Sequence, residues 1–239
     1  MDQLSKSVNP RILERTAANP KRWGKAAGKA YHHMIPAGML QEVWNRLVDQ
    51  HVNSVIPEAG LAIRGFLLLC CSHAKREFDI DNLIDRIRAQ ESDQKRAGHA
   101  PVKPLDEVEV YYLQTAVIWP PWNAVEGPEN RADDPNKGRP GSLGRGQFRD
   151  QDFDSFTLGL SPQEAARVAT IEMLFRQFKA FLESVPGPES LRSLAKAASH
   201  ARPILACDFP IRFNPEMWVK DTAGWRKRHA KDKSSAATR

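Results

Sequence analysis

Apolar residues recur at helical spacing in four stretches of the chain. From Met39 they fall at 39, 40, 43, 44, 47, 48, 52 and 55, and the pattern stops at Pro57, which predicts an amphipathic helix ended by proline. A second helix is predicted from about Glu58 to Ala74. Its unbroken "FLLLCC" points to burial on most sides. A third, "DIDNLIDRIRAQ", lines up Ile80, Leu83, Ile84 and Ile87 on one face. Before the fourth stands "SPQE", a capping box with Ser161 as N-cap, Pro162 at the first helical position and Glu164 three residues on. Val168, Ile171, Leu174, Phe175, Phe178, Phe181 and Leu182 carry that helix to about Ser184, and a shorter helix follows over Glu189–His200.

Between these elements the pattern is less decisive. "DEVEVYYLQTAVIW" (Asp106–Trp119) is β-branched and aromatic like a strand, yet Val110, Leu113 and Val117 also suit a helix, and periodicity does not arbitrate. "ESDQKRAGHAPVKP" is a polar linker. Residues 122–153 form a long polar stretch with five glycines, and so long a loop is usually functional or disordered. "ARPILACDFPIRFNPEMW" is expected to be extended or turn-rich. The predicted fold is mainly α (α+β): a helical domain with a few short strands around residues 30–36 and the central loop. A basic arm (1–28) and a basic flexible tail (220–239) flank a single globular domain (29–219).

Composition narrows the function classes. Hydrophobic residues make up 41% and charged residues 27%, enough apolar material for a sizeable core. The longest apolar run, Gly65–Cys71, is far short of the ~20 residues of a membrane span, so no membrane partner is expected. The N-terminus lacks the apolar core of a secretory signal. Cys70, Cys71 and Cys207 form no CxxC pair, and read as thiols of a reducing compartment. The net charge of +6 is uneven. Residues 1–31 and residues 220–239 each hold seven Lys/Arg against two acids, +5 apiece, which leaves −4 for the middle. Basic ends favour polyanions, nucleic acid above all, through counterion release, although basic tails also serve solubility alone.

The candidate chemistry lies in "AYHHMIPAGMLQEVW" (Ala30–Trp44) and "PPWNAVEGPENRADDP" (Pro120–Pro135). Neutral imidazole can take a proton near pH 7, and carboxylates suit magnesium or manganese. The His-His-Met-Ile-Pro string resembles the opening motif of HNH-type nucleases, in particular the Ala-His-His branch found as bacterial toxin domains, with Tyr31 in place of the alanine. That resemblance implies a ββα-metal-like element with His32 as ligand of a divalent metal (Mg, Mn or Zn) and His33 as the general base that activates water. It implies Asn123 as the asparagine that orients the base, with Asn130 as runner-up. The family's last histidine is missing, since no His occurs between His99 and His200; Asp133 and Asp134 are the substitutes, and Arg131 could hold a phosphate bidentately.

The resulting expectation is a metal-dependent nuclease acting on DNA rather than RNA. It would be an antibacterial toxin or effector, cytoplasmic in its producer or delivered by a secretion apparatus, with an acidic immunity protein as partner. Two alternatives stand beside it: a non-catalytic interaction module, and another metal-dependent hydrolase built on the same His/Asp cluster. The nuclease reading requires His32, His33 and Asn123 or Asn130 to gather at one accessible site. The remaining histidines read as unremarkable. His51, on the first helix, is expected at the surface, and Trp119 and Trp122 as core or site wall.

Overall fold

The computed structural model describes residues 23–24, 27–53, 56–71, 79–92, 105–131 and 152–228. Among these the fold is mainly helical α+β. It comprises α1 (Ala37–Asn53), α2 (Pro57–Cys70), α3 (Ile80–Ser92), α4 (Glu107–Ile118), α5 (Pro162–Glu183) and α6 (Pro188–Leu205), with two small antiparallel sheets. One sheet pairs β1 (Lys29–His33) with β2 (Ala124–Pro128); the other is the hairpin of β3 (Trp218–Asp221) and β4 (Gly224–Lys227). The basic tail expected from residue 220 thus begins inside this hairpin. Residues 1–22, most of the central loop and residues 229–239 lie outside the described residues.

The apolar helix α2 is the centre of the core, and its most extensive interface is with α6. Ala59, Ala62, Ile63, Phe66, Leu67 and Leu69 are all buried, which is why its apolar run has no polar stripe. Trp44 of α1 stacks on Phe66, and Phe66 meets Phe178 of α5 edge to face. Cys70 and Cys71 are buried free thiols, and burial pushes the Cys70 thiol well above its usual range. The capping box at Ser161–Glu164 forms as expected and starts α5. No described helix is long and apolar enough to cross a membrane.

The ambiguous segment at 106–119 is helical. Asp106 caps α4 in a reciprocal box with Glu109, and Glu109 also receives both Nη atoms of Arg86 at 2.7 Å, tying α4 to α3. Helix α6 runs five residues beyond His200, so the predicted extended segment begins only after Leu205.

His51 departs from expectation. It is buried between α1 and α3, with Nε2 3.3 Å from the Ile84 carbonyl. Helix packing, not visible in one helix's own pattern, closes over it. Burial holds its pKa below the ordinary value near 6.5; Arg88 adds to this, while the Ile84 hydrogen bond and Asp85 oppose it. A histidine with a depressed folded pKa contributes full stability above its unfolded pKa. That stability is lost as pH falls below ~6.5, where the unfolded chain gains the proton first. The melting temperature of the wild type should therefore drop between pH 7.5 and 5. His51→Gln should melt with a smaller drop over the same range; an unchanged pH profile would assign the dependence to other groups.

Candidate functional site on the His-His strand

The chain enters β1 through a turn in which Gly28 adopts φ +71°, a region that side-chain-bearing residues rarely occupy. In the β1–β2 register Lys29 faces Pro128, Tyr31 faces Glu126, His32 faces Val125 and His33 faces Ala124. Side chains alternate along a strand. Lys29, Tyr31 and His33 therefore share one face of the ribbon with Glu126, whereas His32 shares the other with Val125 and Gly127. The adjacent histidines point to opposite sides. A third segment runs along the far edge of β2, where Ile211 bonds both the Ala124 carbonyl (3.0 Å) and the Glu126 amide (2.8 Å).

On the first face, His33 is held at the C-terminal end of α4. Its Nε2 lies 2.7 Å from the Ile118 carbonyl, and its ring lies 3.8 Å from that of Trp119. A carbonyl only accepts, so Nε2 is the protonated nitrogen and the neutral ring carries its lone pair on Nδ1. Further along this face the Tyr31 hydroxyl donates to the Gly24 carbonyl at 2.8 Å, while the Arg212 guanidinium lies over the Phe209 ring at 5.6 Å. Burial pushes the Tyr31 pKa up; Glu126 adds to the rise and Arg212 opposes it. Glu126 is only 8% exposed, and its Oε2 accepts the Phe213 amide at 3.1 Å. The Lys29 Nζ stands 2.9 Å above the centre of the Phe213 ring.

On the second face, His32 Nε2 lies 2.9 Å from the Pro128 carbonyl and its ring packs against Trp218. Arg131 is 9% exposed, and its guanidinium lies over the Trp218 ring at 5.1 Å. Its cation is therefore on the side of His32 and Trp218, not beside His33.

Asn123 ends the short turn Pro121–Asn123 that leads into β2, and is fully buried. Its Oδ1 accepts the Ile35 amide at 2.6 Å, its Nδ2 donates to the Ile35 carbonyl at 2.8 Å, and its own carbonyl accepts the Met34 amide at 2.9 Å. The side chain thus clamps the backbone turn between β1 and α1. It acts on His33 through the main chain, while the Ile118 carbonyl orients the ring. Asn130 is exposed in the bend after β2, and Asp133 and Asp134 lie outside the described residues.

The structure thus brings His33 and Asn123 together, keeps His32 on the opposite face, and places Arg131 with His32. Among the described residues no three His, Cys, Asp or Glu side chains converge where an ion could be held. His32 is the one described residue of the expected ligand set, which by itself does not make a metal site. Lys29 and Glu126 were not anticipated. The alternation in "KAYHH" would have pointed to Lys29 once a strand was assumed, but nothing in the sequence links Glu126 to Phe213. Trp119 is a wall of the His33 site; Trp122 is core, its indole N–H donating to the Leu69 carbonyl. A shallow cavity of about 400 Å³ lies elsewhere, lined by Thr170, Met173, Gln177, Lys196 and His200 from α5 and α6.

Compared with protein-family models, with curated proteins and with solved structures, the chain finds no match in any of the three.

Two substitutions test this geometry. Asn123→Ala leaves the buried amide and carbonyl of Ile35 without their partner. It should cost about 2–4 kcal/mol in denaturant unfolding; a loss within error would mean that the clamp is not needed. A Cβ at Gly127 would collide with the Trp218 ring and come within 2.8 Å of His32 Cδ2. Gly127→Ala should therefore destabilise by about 1–3 kcal/mol and alter tryptophan fluorescence, and a neutral result would show that the Trp218 side gives way easily.

Proposed function

We propose that this chain is an HNH-like nuclease that hydrolyses phosphodiester bonds, with DNA as substrate before RNA. The observation that carries the reading is the placement of His33. It stands at the end of β1, where the Ile118 carbonyl fixes its tautomer and the Asn123 clamp fixes the turn that follows. Such a ring can take a proton from water as the water oxygen attacks phosphorus and the bond to the leaving sugar oxygen breaks. The ribbon and α1, which follows β1 directly, would be the ββα-metal-like element. Its order in the chain differs from a hairpin followed by a helix, because among the described residues four helices separate the strands.

A bound divalent ion supplies positive charge to the non-bridging and leaving oxygens. His32, the expected ligand, faces away from His33, so an ion at the reacting phosphate would be held by Asp133 or Asp134 rather than by His32, with Asn130 as a substrate contact. The basic ends would attract the nucleic-acid backbone. A toxin of this kind would be paired with an acidic immunity protein, and would act in its producer's cytoplasm or after delivery to a target cell.

One observation favours a second reading, an interaction module. Helix α4 exposes Val108 (62%), Tyr111 (51%) and Tyr112 (47%) side by side, more apolar surface than one helix face usually leaves to water.

The test is incubation of plasmid DNA with the purified protein in Mg²⁺, Mn²⁺, Zn²⁺ or EDTA, beside His33→Ala. Metal-dependent nicking should fall by at least ~100-fold in the variant, the usual scale for loss of a general base, with circular dichroism confirming that it folds. Nicking that survives the substitution would remove His33 from the chemistry. No cleavage of DNA or RNA would leave the interaction module standing.

A further inference from the structure

The β3–β4 hairpin and the residue after it, Trp218 to Arg228, hold four cations and one carboxylate, a net charge of +3. The register sets Lys220 directly opposite Trp225, so the two side chains stand side by side on one face. The Lys220 Nζ lies 6.0 Å from the centre of the indole. The carboxylate, Asp221, is on the other face, where it pairs with Arg226 at 2.9 Å. Lys227 shares the face of Lys220 but turns inward, with its Nζ 4.2 Å over the Phe156 ring. That leaves the exposed Lys220 as the cation beside a partly exposed tryptophan near the turn. A backbone bridge between Arg131 and Trp225 fixes this part of the hairpin to the segment that follows β2, and the Arg131 guanidinium lies over Trp218 at the hairpin's base.

We propose that this hairpin is a docking surface for single-stranded nucleic acid, in which one base stacks on Trp225 and the adjoining phosphate meets Lys220. A cation about 6 Å from a ring centre stands at the outer reach of cation–π attraction, which is weak at an exposed site. The flexible Lys220 side chain therefore leaves the ring at little cost, and a phosphate beside the stacked base gives it a full charge to meet. The hairpin's net charge draws the backbone in through counterion release. Every base offers a π-face, so the contact asks for no particular sequence, but only a base outside a duplex exposes that face. Charge alone would suit an acidic protein equally; the indole beside the cation is what favours a nucleotide. That the strand held here is one the chain also cuts rests on the nuclease reading; the docking surface does not.

The experiment separates the two. A short fluorescent oligothymidylate is titrated with the full chain in EDTA and followed by anisotropy, with melting curves to confirm that each variant folds. Lys220→Ala should weaken binding several-fold and make its salt dependence shallower by about one phosphate contact. Trp225→Leu should weaken it about tenfold with the salt dependence unchanged, and Trp225→Phe, which keeps a ring, should recover most of that loss. Arg64→Ala, which breaks an exposed pair with Asp81 on α2 and α3, should bind like the wild type. Lys220 is exposed, so its variant decides the matter should Trp225→Leu fail to fold. No binding by the wild type, equal affinity for a duplex of the same length, competition by polyglutamate as effective as by unlabelled oligothymidylate, or unchanged binding in every folded variant would overturn the docking surface even if the plasmid is nicked. Binding that the substitutions weaken, without any cleavage of DNA or RNA, would uphold the docking surface and overturn the nuclease reading.

Discussion

The candidate site depends on one buried amide. Two strands of five residues are too short to persist alone in water, and the pairing of β1 with β2 closes a long stretch of chain, at an entropic cost. Asn123 offsets that cost at the point where the strands meet. Its side chain binds both backbone polar groups of Ile35, 88 residues away, and Ile35 itself is fully buried. Trp122, the preceding residue, anchors the same turn to α2 through the Leu69 carbonyl. The ribbon is thus a continuation of the helical core, pinned at one end. A slip of one residue would exchange the two faces and send His33 to the side of Trp218.

That constraint gives the faces different characters. The His33 face collects polar groups: the His33 imidazole, the Tyr31 phenol, the Glu126 carboxylate and, by strand alternation, Lys29. The His32 face is built from Trp218, Gly127 and the buried Arg131, a packed arrangement of rings and a guanidinium. A sequence of two adjacent histidines suggests cooperation at one ion. The strand's alternation divides them instead, one toward polar chemistry and one toward the β3–β4 hairpin.

The parts legible in the sequence were those set by local rules. The α5 cap needs only Ser161, Pro162 and Glu164, and the helical faces of α1 and α3 need only spacing. Asp106 and Glu109 have the same capping relation as Ser161 and Glu164, and would have resolved α4 had they been weighed against its β-branched residues. What could not be read was tertiary. His51 is buried by a neighbour about thirty residues on, Arg131 is drawn over a tryptophan nearly ninety residues on, and the Glu126 carboxylate accepts the amide of a phenylalanine nearly ninety residues on. Asn123 was found by its place in the motif. Its role was not, because an amide beside a histidine in sequence logic need not touch the ring when a backbone turn is closer.

The proposed choice of His33 over His32 as the base follows from what surrounds each ring. His33 leans on the last carbonyl and the first residue beyond α4, a helix fixed at its start by a reciprocal cap and a bidentate Arg86–Glu109 pair. Its orientation therefore inherits the rigidity of the core, and general-base catalysis requires a ring held in one tautomer and one direction. His32 is likewise fixed by a carbonyl, that of Pro128, but its ring packs on the buried Trp218 of β3, on the face away from Tyr31 and Glu126. The segment from Ile118 to Glu126 thus supplies the carbonyl that sets the tautomer, the indole that walls the ring, the amide that clamps the turn and the carboxylate on the shared face. A single run of nine residues that begins with the last residue of α4 organises the histidine that lies some ninety residues before it, and the site stands or falls with how that run docks on α2.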